Sequence, residues 1–221
     1  MSDLINDPDL LLQDEKFIIK LDDEGEEEEE PKKGEEKEDA LGKKMMEFFL
    51  KSRTVLLFEQ IEPKVTRRLI SQLLFLNEQD SKKEIKLFIN SPGGVADDGL
   101  AIYDLIKLID APVKTIVCGL AASAAAIVLA AAKKENRLAL PHSRIMIHQP
   151  LGGVRGSTKD IQISANQIVR LREQLNEILS METGQPIAKV AEDTNRDYWF
   201  TTEEAIAYGM ISRSVDKIGA I

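Results

Sequence analysis

The apolar run GLAASAAAIVLAAA, Gly119 to Ala132, carries a single hydroxyl, Ser123. Such a serine is either a small packing or capping residue, or a nucleophile held at the mouth of a helix. Unpaired backbone N–H groups and the positive end of the helix dipole there favour developing oxyanion charge. The Gly-x-Ser-x-Gly elbow of many hydrolases is absent, because Ala121 and Ala125 occupy the glycine positions. Of the two histidines, His148 closes the run RIMIH just before Gln149–Pro150. Strand ends on parallel sheets are where functional groups gather, although a half-exposed edge histidine fits the same pattern. His142, between a proline and a serine, reads as a surface-loop residue. The acidic turn AEDTNRDYWF, 191–200, offers two aspartates, Asp193 and Asp197, beside the one tryptophan; either is equally suited to a local backbone cap. Finally NSPGG, 90–94, ends an apolar run with two adjacent glycines, which form an ordinary turn or leave backbone N–H groups uncovered.

The elements that must position these residues alternate between strand and helix. MMEFFLKSR, 45–53, predicts a short amphipathic helix, followed by the strand TVLLF. KVTRRLISQLLFL puts Val65, Leu69, Leu73 and Leu76 on one helical face. EIKLFIN, 84–90, is a buried strand, and the next helix carries Leu100, Ile102, Leu105 and Ile106. The strand VKTIVCG ends in a sharp turn at Gly119, after which the alanines favour helix. RLAL and SRIMIHQP are two further strands. The polar stretch from Ser157 predicts a long helix with a Ser/Thr cap, ending at Gly184. Repeated strand–helix units imply an α/β fold with a parallel sheet.

The net charge of −9 is unevenly placed. Residues 1–40 hold 17 acidic and 5 basic side chains, whereas the remaining 181 hold 21 acidic and 24 basic. No basic stripe argues for nucleic acid. The segment 21–39 cannot bury enough apolar area to offset chain entropy and is expected to be mobile. KFIIKL, 16–21, reads as a short strand, a docking segment or part of a disordered tail. No apolar run approaches the roughly 20 residues a bilayer requires, and no secretory signal is evident. The lone Cys118 points to a reducing, cytoplasmic setting.

Taken together, FINSPGG…AIYDLI, GLAASAAA, LPHSRIMIHQPLGG and DTNRD, in that order and spacing, resemble the proteolytic subunit (ClpP) family of Clp proteases, from about Lys51 to Val215. The resemblance implies repeated β-β-α units, shared with the crotonase superfamily, and a protruding handle helix over about 157–183. It divides the chain into an acidic segment or axial loop, 1–39, disordered or processed, and a peptidase domain, 40–221. It implies a Ser-His-Asp serine endopeptidase with Ser123 as nucleophile, His148 as general base and Asp197 as its orienting carboxylate, Asp193 being non-catalytic. The backbone N–H groups of Gly94 and Ala124 match the oxyanion hole. Pro150–Gly156 and a strand after Gly94 match the segments that pair with substrate main chain. No metal and no cofactor are implied, ATP being used by a partner.

The resemblance also implies two stacked seven-membered rings, cutting unfolded polypeptides delivered by an AAA+ unfoldase of the ClpX, ClpA or ClpC type. Phe88, Leu108, Ile116, Leu138 and Leu140 match its docking pocket, with Lys86 where an aromatic is common. Neither nucleic acid nor membrane is among the expected partners. The acidic N-terminal loops would form an electrostatic gate or a solvated tail. Ala124–Ala125 replaces the usual Met-Gly, and the Ala125 methyl group is expected to crowd a helix contact and shift Ser123. The alternative is therefore a weakly active or regulatory paralogue that co-assembles with another subunit of the family. An acyl-CoA enzyme on the related fold ranks last, since it needs no complete Ser-His-Asp set.

Overall fold

The computed structural model describes residues 33–221, with side chains from 41 onward, Ala220 excepted. KFIIKL and most of the acidic segment therefore lie outside the described residues. The chain separates into two units between Lys44 and Met45, within helix α1 (Lys33–Lys51). This helix begins twelve residues before the expected start, so residues 33–39, expected to be mobile, are helical. Glu, Lys, Ala and Leu are good helix formers, and an acid-rich start with Lys51 in the last turn complements the dipole.

In the second unit, β1 (Thr54–Leu57), β2 (Ile85–Ser91) and β3 (Val113–Ala122) form parallel neighbours, separated by α2 (Pro63–Gln79) and α3 (Ala96–Leu108). The expected face of α2, Val65, Leu69, Leu73 and Leu76, is buried. So are Leu100, Ile102, Leu105 and Ile106 of α3. Period-two alternation sends Ile85, Leu87 and Ile89 into this core and leaves Lys86 and Phe88 half-buried on the other face. The segment after Gly94 is helix, not strand: Val95 is the N-cap of α3, with Asp97 and Asp98 in its first turn.

β3 is the long strand, and it runs three residues beyond the turn expected at Gly119. One edge pairs with β2. The other takes two partners in succession, β4 (Arg137–Ala139) against Thr115–Val117 and β5 (Arg144–Ile147) against Leu120–Ala122. β4 and β5 thus resemble one strand broken at Pro141, which has no N–H for a ladder. Gly119 (φ 106°) bends β3 at the handover. Ser143 fills the gap: Gly119 N–H donates to its Oγ at 3.1 Å, and that hydroxyl donates to the Val117 carbonyl at 2.9 Å.

The short helix α4 (Ala124–Ala130) follows β3 and is entirely buried. Helix α5 (Thr158–Thr183) opens with a capping box formed by Ser157 and Asp160 and closes on Gly184 in the left-handed conformation. At about 1.5 Å per residue its 26 residues reach about 39 Å. Its buried residues, Leu175, Asn176, Leu179 and Thr183, all lie in the C-terminal part, while Ile161, Ile163 and Val169 are exposed. Arg137, 1% exposed, anchors the buried end: it donates to the carbonyls of Ala132 and Glu182, both at 2.7 Å, and pairs with the Glu182 carboxylate. Tyr103 Oη donates to the same carboxylate at 2.6 Å. Burial, then the neighbouring Glu182, pushes the Tyr103 hydroxyl well above its ordinary pKa and keeps it a donor. The chain continues through α6 (Ile187–Asp193), β6 (Tyr198–Phe200, antiparallel to β5), α7 (Thr202–Tyr208) and β7 (Arg213–Ser214, parallel to β4).

Arg53 links the start of the sheet to the end of α2. Its backbone is left-handed (φ 52°), and its guanidinium donates to the carbonyls of Leu76, Asp80, Lys83 and Glu84 at 2.9–3.1 Å. One side chain therefore satisfies a helix C-terminus and the turn that follows. Replacing Arg53 by Ala should lower unfolding free energy by about 2–4 kcal/mol, read by denaturant unfolding. Lys at this position should recover less than half of that, because one ammonium cannot reach four carbonyls in a fixed fork.

Candidate functional site

Strand register alone brings the three chemistry-bearing residues of the sequence together. Parallel pairing of Ala122 with Met146 places Ser123, the next residue, beside the end of β5, and Ser123 N–H donates to the Met146 carbonyl at 2.9 Å. Antiparallel pairing of Ile147 with Tyr198 points the chain so that His148 and Asp197 face each other one step beyond the ladder. The result is Ser123 Oγ at 2.8 Å from His148 Nε2, and Asp197 Oδ1 at 3.0 Å from His148 Nδ1. His148 is 13% exposed and Asp197 is 60% exposed. A neutral imidazole protonated on Nδ1 accepts from the hydroxyl and donates to the carboxylate in this arrangement.

Asp193 is turned elsewhere. It is mostly buried, takes a hydrogen bond from Tyr208 Oη at 2.8 Å and pairs with Lys189 at 2.9 Å. Burial, then that hydrogen bond, raises the pKa of Tyr208, and the bond to Asp193 raises that of Lys189. His142 is exposed in the turn between β4 and β5, away from these contacts. Asp160, at the N-terminal end of α5, uses Oδ2 for the Ser157 hydroxyl at 2.6 Å.

The backbone at Ser123 adopts φ 57° and ψ −125°. An elbow thus forms without its usual glycines, a strained conformation for a residue with a Cβ. Room comes from neighbours that are small rather than absent: Ala121 and Ala125 are both fully buried. The Ala125 methyl group, expected to crowd a helix contact and shift Ser123, is fully buried, and Ser123 Oγ lies 2.8 Å from His148 Nε2. Across from it, α3 approaches so closely that a Cβ on Gly99 would lie 2.9 Å from the Ala124 Cβ.

The Gly93–Gly94 turn packs against the same elbow. A Cβ at Gly93 would fall 2.8 Å from Ser123 Cβ and 2.9 Å from the Ala124 nitrogen. Gly94 bridges to Ile61: Ile61 N–H donates to the Gly93 carbonyl at 2.8 Å and Val95 N–H to the Ile61 carbonyl at 2.9 Å. Gly94 and Ala124 border one cavity of about 550 Å³, together with Ser123 and His148. Its lining is mostly apolar and includes Val95, Ile127, Met146, Leu171, Leu175 and Leu179, and among the described residues His148 is the one ionisable side chain lining it. Among the described residues no group of three or more His, Cys, Asp or Glu is placed to hold a metal ion.

Sequence reasoning missed Ile61 and Gly99, which carry no chemical group and act by proximity alone. It also missed Gln149, whose amide reaches the turn before Asp197; its position directly after His148 was the available signal. The residues matched to a docking pocket are split. Phe88, Ile116, Leu138 and Leu140 share an apolar cluster with Val215 and Ile221 on the far face of the sheet. Leu108 stands apart at the end of α3, 78% exposed, because the helix turns its last residue outward. Lys86 lies on the same face as Phe88, two residues before it in β2 and registered with Thr54 and Lys114. No helix among the described residues is long and apolar enough to cross a membrane.

Gly94→Ala should displace the turn, since the new methyl carbon would lie 2.0 Å from the Ile61 carbonyl oxygen. We expect a stability loss of roughly 1–3 kcal/mol or more by denaturant unfolding. Gly153→Ala, which meets nothing within 4 Å, should stay within about 0.5 kcal/mol of the parent.

The hydroxyl, imidazole and carboxylate in line, the glycine turn beside them and the mostly parallel sheet that carries them agree with one further finding. The family model for Clp protease matches residues 36–218, and the chain belongs to that family.

Proposed function

We propose that this chain is the proteolytic subunit of an ATP-dependent Clp protease, a serine endopeptidase whose nucleophile is Ser123. The observation that carries the reading is the unbroken chain of contacts Ser123–His148–Asp197, 2.8 and 3.0 Å long, whose first two members line a largely apolar cavity. His148 Nε2 takes the Ser123 proton as Oγ attacks a peptide carbonyl, and later gives it to the leaving amine. Asp197 holds the imidazole in the Nδ1–H tautomer and stabilises the imidazolium that forms. The N–H groups of Gly94 and Ala124 receive the oxyanion of the tetrahedral intermediate. The reaction as drawn uses no cofactor and no metal.

Two surfaces support a role within an assembly. The exposed, partly apolar half of α5 suits the face-to-face contact of two heptameric rings, since Ile161, Ile163 and Val169 have little of this chain to cover them. On the far face of the sheet the half-buried Phe88 and Leu140, backed by the fully buried Ile116 and Leu138, suit docking of an AAA+ unfoldase, with the exposed Leu108 as a separate contact. That partner would consume ATP and deliver unfolded polypeptide.

Treatment of the assembled protein with a fluorophosphonate probe should label Ser123 alone, as read by mass spectrometry, and His148→Ala should abolish the labelling. Asp197→Asn should lower turnover by about 10⁴-fold with assembly intact. An assembled protein that takes no label would overturn the reading in favour of a non-cutting paralogue. The apolar lining further predicts substrate choice. Peptides with Leu or Met preceding the cut bond should exceed those with Asp or Lys by at least about 10-fold in kcat/KM; equal rates would mean that the cavity does not receive that side chain.

A further inference from the structure

We propose that Gln149 is a positioning residue for the reaction, acting through Asp197; the inference rests on the Ser-His-Asp reading above. The starting observation is that the Asp197 carboxylate has little around it. Its side chain is 60% exposed, so solvent rather than a buried network surrounds it apart from the contact with His148. The direction in which it points is therefore set by the backbone of the turn that carries it.

That turn has few other ties to the sheet. The β5–β6 ladder consists of three residue pairs and ends at Ile147–Tyr198, one step short of Asp197. Gln149 supplies the hold that the ladder lacks. Its backbone N–H donates to the Thr194 carbonyl at 2.6 Å. Its side-chain Nε2 donates to the Asn195 carbonyl at 2.7 Å, with Asn195 Oδ1 at 3.4 Å. The residue after the imidazole thus grips the two residues that lead into the carboxylate, and His148–Asp197 closes the ring from the other side.

Thr194 gives this grip a fixed point. It is 1% exposed, and its hydroxyl lies 2.9 Å from Asn176 Oδ1 on α5 and 2.8 Å from the Val190 carbonyl. The near end of the turn is therefore held from behind by packed elements. Beyond Thr194, Asn195 N–H donates to the Glu192 carbonyl at 3.2 Å within the last turn of α6, and the Gln149 amide is the group that ties Asn195 to the end of β5. A displacement of about 1 Å of a catalytic group is enough to cost about 100-fold in rate, so loss of one such tie has a measurable effect.

The test is a double-mutant cycle on the assembled full-length chain. Gln149→Met keeps the length of the side chain and removes the donor. Rates of fluorophosphonate labelling and turnover of a Leu-containing peptide are measured for the parent, Gln149→Met, Asp197→Ala and the double variant. We expect Gln149→Met to lower kcat and labelling about 10-fold with KM within about twofold and assembly unchanged. In the Asp197→Ala background the same change should alter labelling less than about twofold, because a residue that acts through the carboxylate has nothing left to act on. An equal proportional loss in both backgrounds, or no loss in the parent background, overturns the proposal. Gln149→Glu, which replaces the donor by an acceptor facing the Asn195 carbonyl, should lower kcat at least as much. Failure of both variants to assemble would make Gln149 a structural residue and end the proposal. An Asp197→Ala protein as fast as the parent would instead overturn the Ser-His-Asp reading itself.

Discussion

Two hydrogen-bonded ladders meet on β5, and the geometry of the site depends on both. Through the parallel ladder with β3, β5 sets where Ser123 emerges; through the antiparallel ladder with β6, it sets where Asp197 lies. His148 follows β5 directly and stands between the two. A slip of one residue in either register would send a side chain to the opposite face of the sheet. Register is held by burial: Ile145 and Ile147 of β5 and Phe200 of β6 belong to the main core. The cost of misplacing the reactive groups is thus borne by apolar packing, which is far stronger than the two hydrogen bonds that join them.

The remaining parts of the site are arranged by close approach. Gly93, Gly94 and Gly99 allow a turn and a helix to lie against the Ser123 elbow at distances where a methyl group would clash. The carbonyl and N–H of Ile61 fix that turn from the other side. At the far end of the domain, Arg137, Glu182 and Tyr103 form a buried polar cluster that ties the last turn of α5 to the sheet and to α3. The long helix is therefore firmly rooted, and its N-terminal half projects without core of its own.

Much of this was legible in the sequence, for identifiable reasons. The apolar faces of α2 and α3 follow three- and four-residue spacing, and spacing survives folding because the helix period is fixed. Ser157 and Gly184 bound α5 because capping and left-handed backbone are chemical needs met by few residues. Gly119 misled: as a turn former it promised the end of a strand, yet its positive φ bends β3 between two partners. Only tertiary pairing could reveal that second partner. Likewise the start of α1 was obscured because the same Glu and Lys residues serve both a solvated coil and an exposed helix. In the site, Ser123 and His148 were singled out by their places at element ends. Asp197 and Asp193 were indistinguishable by local pattern, and what separates them is three-dimensional: one is engaged by Tyr208 and Lys189, the other faces His148. Gly94 was noted for its uncovered amide, whereas its contact with Ile61 spans 33 positions and leaves no local mark.

The positive φ at Ser123 carries a consequence for stability. A backbone of this kind is tolerated by glycine and resisted by residues with a β-carbon, at a cost of about 1–3 kcal/mol. Folding alone would favour glycine at this position, so the strain is the cost of placing a hydroxyl here. On the proposed reading, exchanging Ser123 for glycine would remove the nucleophile and raise thermal stability in the same step.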